Sequence, residues 1–462
     1  MVVDTIIKNG IVVNPDEVMK GGVAIEDGTI VAVGSSSTLP EAENTIDANG
    51  KMILPGAVDV HVHLDDMFSN DTYESASKAA ALGGTTTFVD FAWQAWESES
   101  SIWDEPSTLL EGIERKQDKA EDTIIDYSLH GAITRDDYSV FEEFPEIIEK
   151  GITSIKMFTA YEFGLSNGFI NEVLEEAADY DLVAVLHTED SSVCEVITEQ
   201  FKSNDNGEPE FYPKSRPDYA EAMAADNAIT MAMEAGCRYY GIHTTCRKAA
   251  DVIEEHRDCN EDMIRAETCT QYTVADDSLF DDIGLLPMAA PPLRKPDDNE
   301  AMFEHLDRGT LDVVSTDHCG YLAEEKQVYP WWEGTFGMNS LQQSLSVFHD
   351  EAVTNRGFSY PFLVQKLAAN PARIFGMENK GTITPGKDAD IVVFDPNNTR
   401  EIDPANNASY SDFSVYEGRE VGTVEKTFVR GELVADDGNI TKEAGYGEFV
   451  EREIPTWGNK NE

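Results

Sequence analysis

Positive charge is scarce in this chain: 34 lysines and arginines stand against 88 aspartates and glutamates in 462 residues, a formal net charge of −54. No single tail carries the excess. Such a surface repels phosphate backbones and anionic lipid, so nucleic-acid and membrane-surface partners are not expected. Self-repulsion of this size is tolerable in concentrated salt, where at ~1 M the screening length falls to ~3 Å, and a salt-adapted cytosol is the expected setting. Long apolar runs are also missing: none approaches the ~20 residues that a membrane-crossing helix needs. The stretch from Met1 to Lys8 lacks the basic and apolar segments of a secretion signal, which gives a cytoplasmic expectation. Closely spaced cysteine pairs are absent too. The six cysteines, Cys194, Cys237, Cys246, Cys259, Cys269 and Cys319, are scattered without a CxxC spacing, so neither a disulfide framework nor a cysteine-built zinc site is expected.

What is present is periodic. From Val2 to about Leu54, short β-rich runs alternate with Asn-Gly, Asp-Gly and Gly-Ser turns, which is hairpin material. The same texture returns at Thr382 to Gly386, Ala389 to Phe394, Val424 to Val429 and Glu432 to Val434. One small β-sandwich domain built from both chain ends, residues 1–54 and 375–445, accounts for this. Residues 55–374 differ, because apolar runs alternate with helix-like stretches. The runs are Ala57 to Leu64, Thr85 to Phe91, Ile124 to His130, Ile152 to Phe158, Leu182 to His187, Arg238 to His243, Met263 to Thr268 and Leu311 to Asp317. Helix candidates between them include Tyr73 to Leu82, Pro106 to Lys119, Asn171 to Tyr180, Tyr219 to Ala235 and Lys248 to His256. Eight strands alternating with helices predict an α/β fold, a closed (β/α)₈ TIM barrel. Residues 446–462 read as a C-terminal surface extension.

Barrel chemistry clusters where strands end and loops begin, and metal-ligating residue types fall there repeatedly. In Val58-Asp59-Val60-His61-Val62-His63-Leu64 the period of two turns both imidazoles to one face. That pair fits one metal ion, or two polar side chains facing a cleft. His187 closes the fifth run, His243 the sixth and Asp317 the eighth; singly, each also fits a hydrogen-bonded or capping role. Lys156 lies inside the apolar fourth run, where an unpaired ammonium is costly and is usually paired or modified. His130, ending the third run, reads as structural.

Taken in order, these segments resemble the cyclic amidohydrolases of the dihydropyrimidinase, hydantoinase and allantoinase group. The matching pieces are Pro55 to Asp65, Gly83-Gly84-Thr85-Thr86, Ser154 to Tyr161, Leu186-His187-Thr188-Glu189, Pro291-Pro292-Leu293-Arg294, Ser315-Thr316-Asp317-His318 and Gly386 to Asp390. The resemblance implies metal-dependent opening of a 5,6-dihydropyrimidine or hydantoin ring to an N-carbamoyl amino acid by a metal-bridging hydroxide. It implies two divalent ions, zinc by donor type, and a CO₂-derived carbamate on Lys156 that both ions share. His61, His63 and Asp317 would complete one site, His187 and His243 the other. By the same resemblance Asp317 is base and then acid, Tyr161 steadies the oxyanion, and Tyr161, Ala290, Phe336 and Asn339 meet the small cyclic amide. A homo-oligomer, dimer or tetramer, is expected by analogy.

Two positions depart from the pattern, both at the substrate: Ala290 stands where relatives carry serine, and Phe336 where they carry asparagine. Dihydroorotases place an arginine two residues after the second histidine, and here that residue is Asp65. Allantoinase is a competing reading, through Gly337 to Gln342. A non-catalytic scaffold relative is another, disfavoured because all six ligand positions carry competent residues.

Overall fold

The computed structural model describes residues 2–94 and 107–458; Pro106, the first residue of one expected helix, lies outside them. An eight-stranded parallel sheet curls into a barrel in chain order. Its strands are Ala57–Val62, Thr85–Trp93, Asp126–Ala132, Ser154–Phe158, Val183–His187, Arg238–Gly241, Ile264–Cys269 and Val313–Ser315. An isolated parallel bridge between Val62 and His318 brings the end of the eighth strand to the first and closes the ring. Each observed strand falls within about two residues of its expected run.

The two faces of these strands explain why they form. Leu129, Ile155, Met157, Ala184, Leu186, Ile264 and Ala266 point outward and pack with helix residues such as Ile170, Val173, Leu174, Ala228 and Ile229. Val58, Val60, Val89, Val183, Val185, Tyr240 and Val313 point inward and fill the barrel. A strand buried on both faces reads as a continuous apolar run. Helix Tyr73–Gly83 shows how the outer layer is delimited: Thr72 caps its start and Gly84, at φ 84°, ends it. A left-handed terminator of this kind favours glycine.

Both chain ends build a nine-stranded mixed sheet. Strand Met52–Pro55 lies between Val2–Val13, which it meets in parallel, and Ile391–Glu401, which it meets antiparallel. It therefore sutures the N-terminal hairpins to the C-terminal ones, directly before the first barrel strand. Residues 382–386, expected as strand, form a turn; Ile30 N–H donates to Lys387 O and Gly386 N–H donates back to Ile30 O.

The segment beyond Gly445 is not a loose surface extension over its described length. Tyr127 and Val450 bond through their backbones, Trp457 donates from its indole to Ile374 O at 3.0 Å, and Trp457 packs among the inward valines. Because Val58, Val183 and Val313 start their strands, this tail seals the barrel at the end opposite the candidate site. The aromatic ring and the buried Arg452 supply the cover. No helix among the described residues is long and apolar enough to cross a membrane.

Candidate metal centre

The six side chains singled out in the sequence line one cavity at the C-terminal ends of the strands, together with Tyr161, Ala290 and Phe336. His61 Nε2 lies 3.1 Å from Asp317 Oδ1, and His63 Nε2 lies 3.4 Å from the same oxygen. On the other side His187 Nδ1 faces His243 Nε2 at 2.8 Å. Ring centroids of His61 and His243, 5.3 Å apart, join the two groups. Lys156 enters between aromatic walls, its Nζ 4.4 Å from the Phe158 ring centroid and 5.1 Å from that of Phe91.

Backbone geometry at the strand ends is unusual. Tyr161, His243 and Asp317 adopt φ of 72°, 38° and 50°, in the left-handed region that non-glycine residues rarely occupy. Such conformations cluster where function demands a particular side-chain direction.

The electrostatics are those of a site short of positive charge on one side and unable to hold it on the other. Burial would depress His61, but Asp317 and Glu267 raise it to about 9. Burial likewise raises the Asp317 carboxyl, yet His61 and His63 hold it well below the usual carboxylate range. Protons between these groups occupy places where a cation is favoured. His187 is instead lowered to about 4 by burial, and His243 also falls well below its ordinary value, so both present neutral imidazoles. Burial lowers the Lys156 amine to about 7. Among the described residues no carboxylate forms an ion pair with it, so a substantial fraction is uncharged near neutral pH.

This donor set fits divalent cations. His61, His63 and Asp317 offer three ligand atoms within 4.8 Å of one another. Imidazole nitrogens facing each other at 2.8 Å need either a shared proton or a shared cation. A second grouping, His61 with Glu267 and Cys269, uses the opposite edge of the same imidazole: Glu267 takes Nδ1 at 2.6 Å, which leaves Nε2 to the cavity. Glu267 is thus the partner that orients a ligand. A third, Asp251, Glu254 and His305, sits on outer helices, with the two carboxylates on opposite nitrogens of the ring.

Several participants were not anticipated from sequence. Besides Glu267, Asp66 lies 3.6 Å from His63 Nδ1 and is held by buried Lys116. Glu189 accepts from His187 Nε2 at 3.0 Å and pairs with Arg216. Parity was the available signal for Glu267, whose carboxylate shares a strand face with Arg265 and Cys269. Of the expected substrate contacts, Asn339 is buried but does not line the cavity, and its Oδ1 has no hydrogen-bond partner. His130 has the structural role expected, bridging Ser154 Oγ at 2.6 Å and Val60 O at 3.0 Å.

Comparison with known proteins agrees with this architecture. The chain is 33% identical to a D-hydantoinase of Streptomyces coelicolor, covering 97% of this chain and 98% of the relative. It is 31% identical to an allantoinase of Salmonella choleraesuis, over 94% of this chain and 95% of that protein. The solved dihydropyrimidinase of Brevibacillus agri superposes with a TM-score of 0.92 at 29% identity, covering 98% of this chain and 99% of that one. A profile of the amidohydrolase family matches residues 52–434, and with the barrel and its converging donors described, the chain belongs to the amidohydrolase family.

Proposed function

We propose that this protein opens the ring of a neutral cyclic amide, a 5,6-dihydropyrimidine or a 5-substituted hydantoin, to an N-carbamoyl amino acid by metal-dependent hydrolysis. The observation that carries the reading is the convergence of four imidazoles and Asp317 on a buried lysine with which, among the described residues, no carboxylate forms an ion pair. His61, His63 and Asp317 would hold one divalent ion and His187 and His243 a second, with Lys156, carboxylated by CO₂, serving both. Histidine and carboxylate donors favour zinc. When bound, such ions supply Lewis acidity and bring the pKa of water toward neutrality.

The chain's own groups supply the rest. Burial raises the Tyr161 hydroxyl well above its ordinary pKa, so it remains an O–H donor, suited to steady the oxyanion that develops on the attacked carbonyl. A carboxylate oxygen of Asp317 can accept the proton of the attacking water and return it to the departing ring nitrogen. Phe68, Phe158 and Phe336 wall the pocket and limit access of bulk water.

The same walls bear on the substrate. Among the described lining residues there is no arginine to grip a substrate carboxylate. Asp65, at the position where dihydroorotases carry that arginine, caps the Tyr73 amide at 3.2 Å. A neutral ring with an apolar substituent suits these surfaces better than dihydroorotate or the polar ureido group of allantoin. Allantoinase is the second reading, supported by the 31% identity above. A salt-rich cytoplasm belongs to the same proposal, supported by the net charge of −54, and a homo-oligomer joins it by analogy with relatives.

The test is hydrolysis of dihydrouracil, a 5-substituted hydantoin, allantoin and dihydroorotate, at low and high potassium chloride, with metal analysis of the same sample. Ring opening of the first two with about two equivalents of metal is expected, and preference for allantoin overturns the substrate assignment. Metal well below one equivalent, with no turnover after metal and bicarbonate are supplied, favours a scaffold. Lys156→Ala is expected to abolish metal loading and turnover together; full metal retention would contradict the shared-ligand role.

A further inference from the structure

His187 is held from behind by an ordered chain of contacts. Its Nε2 meets Glu189 Oε2 at 3.0 Å, which leaves Nδ1 directed at His243. Glu189 is gripped in turn by a guanidinium fork: Arg216 Nε reaches Oε1 at 2.9 Å and Nη2 reaches Oε2 at 2.6 Å. Two-point pairing fixes the plane of the carboxylate as well as its position, which a single contact cannot do. The same guanidinium lies 5.5 Å from the ring centroid of Tyr161 and 5.7 Å from that of Phe336, within range for attraction to both ring faces.

Arg216 is itself anchored. Its carbonyl accepts from Arg294 Nη1, while Arg294 donates through Nε to Thr245 at 2.9 Å and through Nη2 to Glu221 at 2.8 Å. Thr245 follows His243 by two residues, so one network braces the loops carrying both imidazoles of this half-site. The other half has its own bracing: Glu267, behind His61, also takes the Tyr240 hydroxyl at 2.8 Å and the His243 amide at 3.3 Å, and Asp66, behind His63, is paired with Lys116 and takes the Phe68 amide at 2.8 Å.

We propose that Arg216 is a positioning residue that couples the His187–His243 half of the metal centre to the pocket wall formed by Tyr161 and Phe336. Through Glu189 it sets the tautomer and plane of His187; through its faces it sets the two rings that border the substrate. The inference rests on the two-ion reading above. It adds that the chain of contacts through Arg216 and Glu189 braces the His187–His243 ion and ties it to the Tyr161 and Phe336 wall, while His61 and His63 are held by Glu267 and Asp66.

The experiment is zinc titration of the metal-freed full-length chain against a chromogenic chelator, with metal-free melting temperature recorded in parallel. Wild type is expected to bind two equivalents. Arg216→Gln is expected to weaken one equivalent by about 10- to 100-fold, the usual cost of losing an outer partner, and to leave the other within twofold. Glu189→Gln is expected to do the same, with the double variant no worse than either single one, because both interrupt one chain of contacts. Arg216→Lys restores the charge but not the fork, so the weakened equivalent stays weak. Equal weakening of both equivalents alongside a lowered melting temperature would make Arg216 merely structural. Unchanged binding of both, or full recovery in Arg216→Lys, would overturn the proposal. Wild type binding fewer than two equivalents would overturn the two-ion reading and this inference with it.

Discussion

Tyr161 carries a cost that function explains, a left-handed backbone at φ 72°, of order 1–3 kcal/mol for a non-glycine residue, and its ring packs against His187 and Arg216. Replacing it with phenylalanine keeps the ring contacts and removes one donor. Tyr161→Phe is therefore expected to retain both metal equivalents and lose about 10²- to 10³-fold in kcat, measured by metal analysis and steady-state rates on one preparation. An unchanged kcat would remove the hydroxyl from the chemistry. At this scale the ligands were legible because each of the six interrupts or ends an apolar run, where a polar group is conspicuous. Glu189 and Arg216 were not, because each sits in a polar loop where its type is ordinary; only the fold shows Glu189 buried, and Arg216 half-buried, beside His187.

Lys326 shows how an element positions a site without touching it. It ends the short helix Ala323–Lys326, is fully buried, and donates to the carbonyls of Met288, Thr335 and Gly337, the last two at 2.9 and 2.7 Å. Those carbonyls belong to the two loops that present Ala290, Phe336 and Gly337 to the cavity. Lys326→Met takes the side-chain donor from the Thr335 and Gly337 carbonyls, at about 1 kcal/mol or more each, while the Met288 carbonyl keeps the Gly337 amide. The expected outcome is a loss on the order of 2 kcal/mol in denaturant unfolding, with raised KM and intact metal content. An unaltered KM would mean the loops hold their shape without the staple. Strands were legible because their two buried faces leave continuous apolar runs. Loop staples and the C-terminal cover were not: Lys326 is one lysine among many, and Trp457 follows a polar stretch that reads as surface. Residues 382–386 show the converse error, since Thr-Ile-Thr has strand composition but serves a turn gathered around Pro385-Gly386.

At the scale of the whole molecule, the barrel and the sheet domain meet at a titratable group. His349, on helix Ser344–His349, packs its ring 4.7 Å from Phe394 of strand Ile391–Glu401, and burial lowers its pKa to about 4. An unfolded imidazole titrates near its ordinary 6.5, so between those values the unfolded chain binds the additional proton. Stability is then full above pH ~6.5, falls as pH drops toward ~4 and levels off below, a change on the order of 3 kcal/mol. His349→Asn is expected to lose less stability than wild type between pH 7 and pH 4.5 in urea unfolding, and equal losses would exclude His349 as a source of acid sensitivity.

Salt acts on the same molecule through a different term. With 88 acidic and 34 basic side chains, most carboxylates have no cationic partner, so screening relieves more repulsion than it costs in surface pairs such as Arg356–Glu300. Raising potassium chloride from 0.1 to 1 M shortens the screening length from ~10 to ~3 Å, which is less than the spacing of neighbouring surface charges. The melting temperature is expected to climb steeply across that range and to flatten beyond it, because screening saturates once charges no longer sense one another. A continued linear rise to 3 M would point instead to exclusion of salt from the protein surface. A flat or falling curve below 1 M would show that the acidic surface serves solubility alone and would remove the physical basis for a salt-adapted setting.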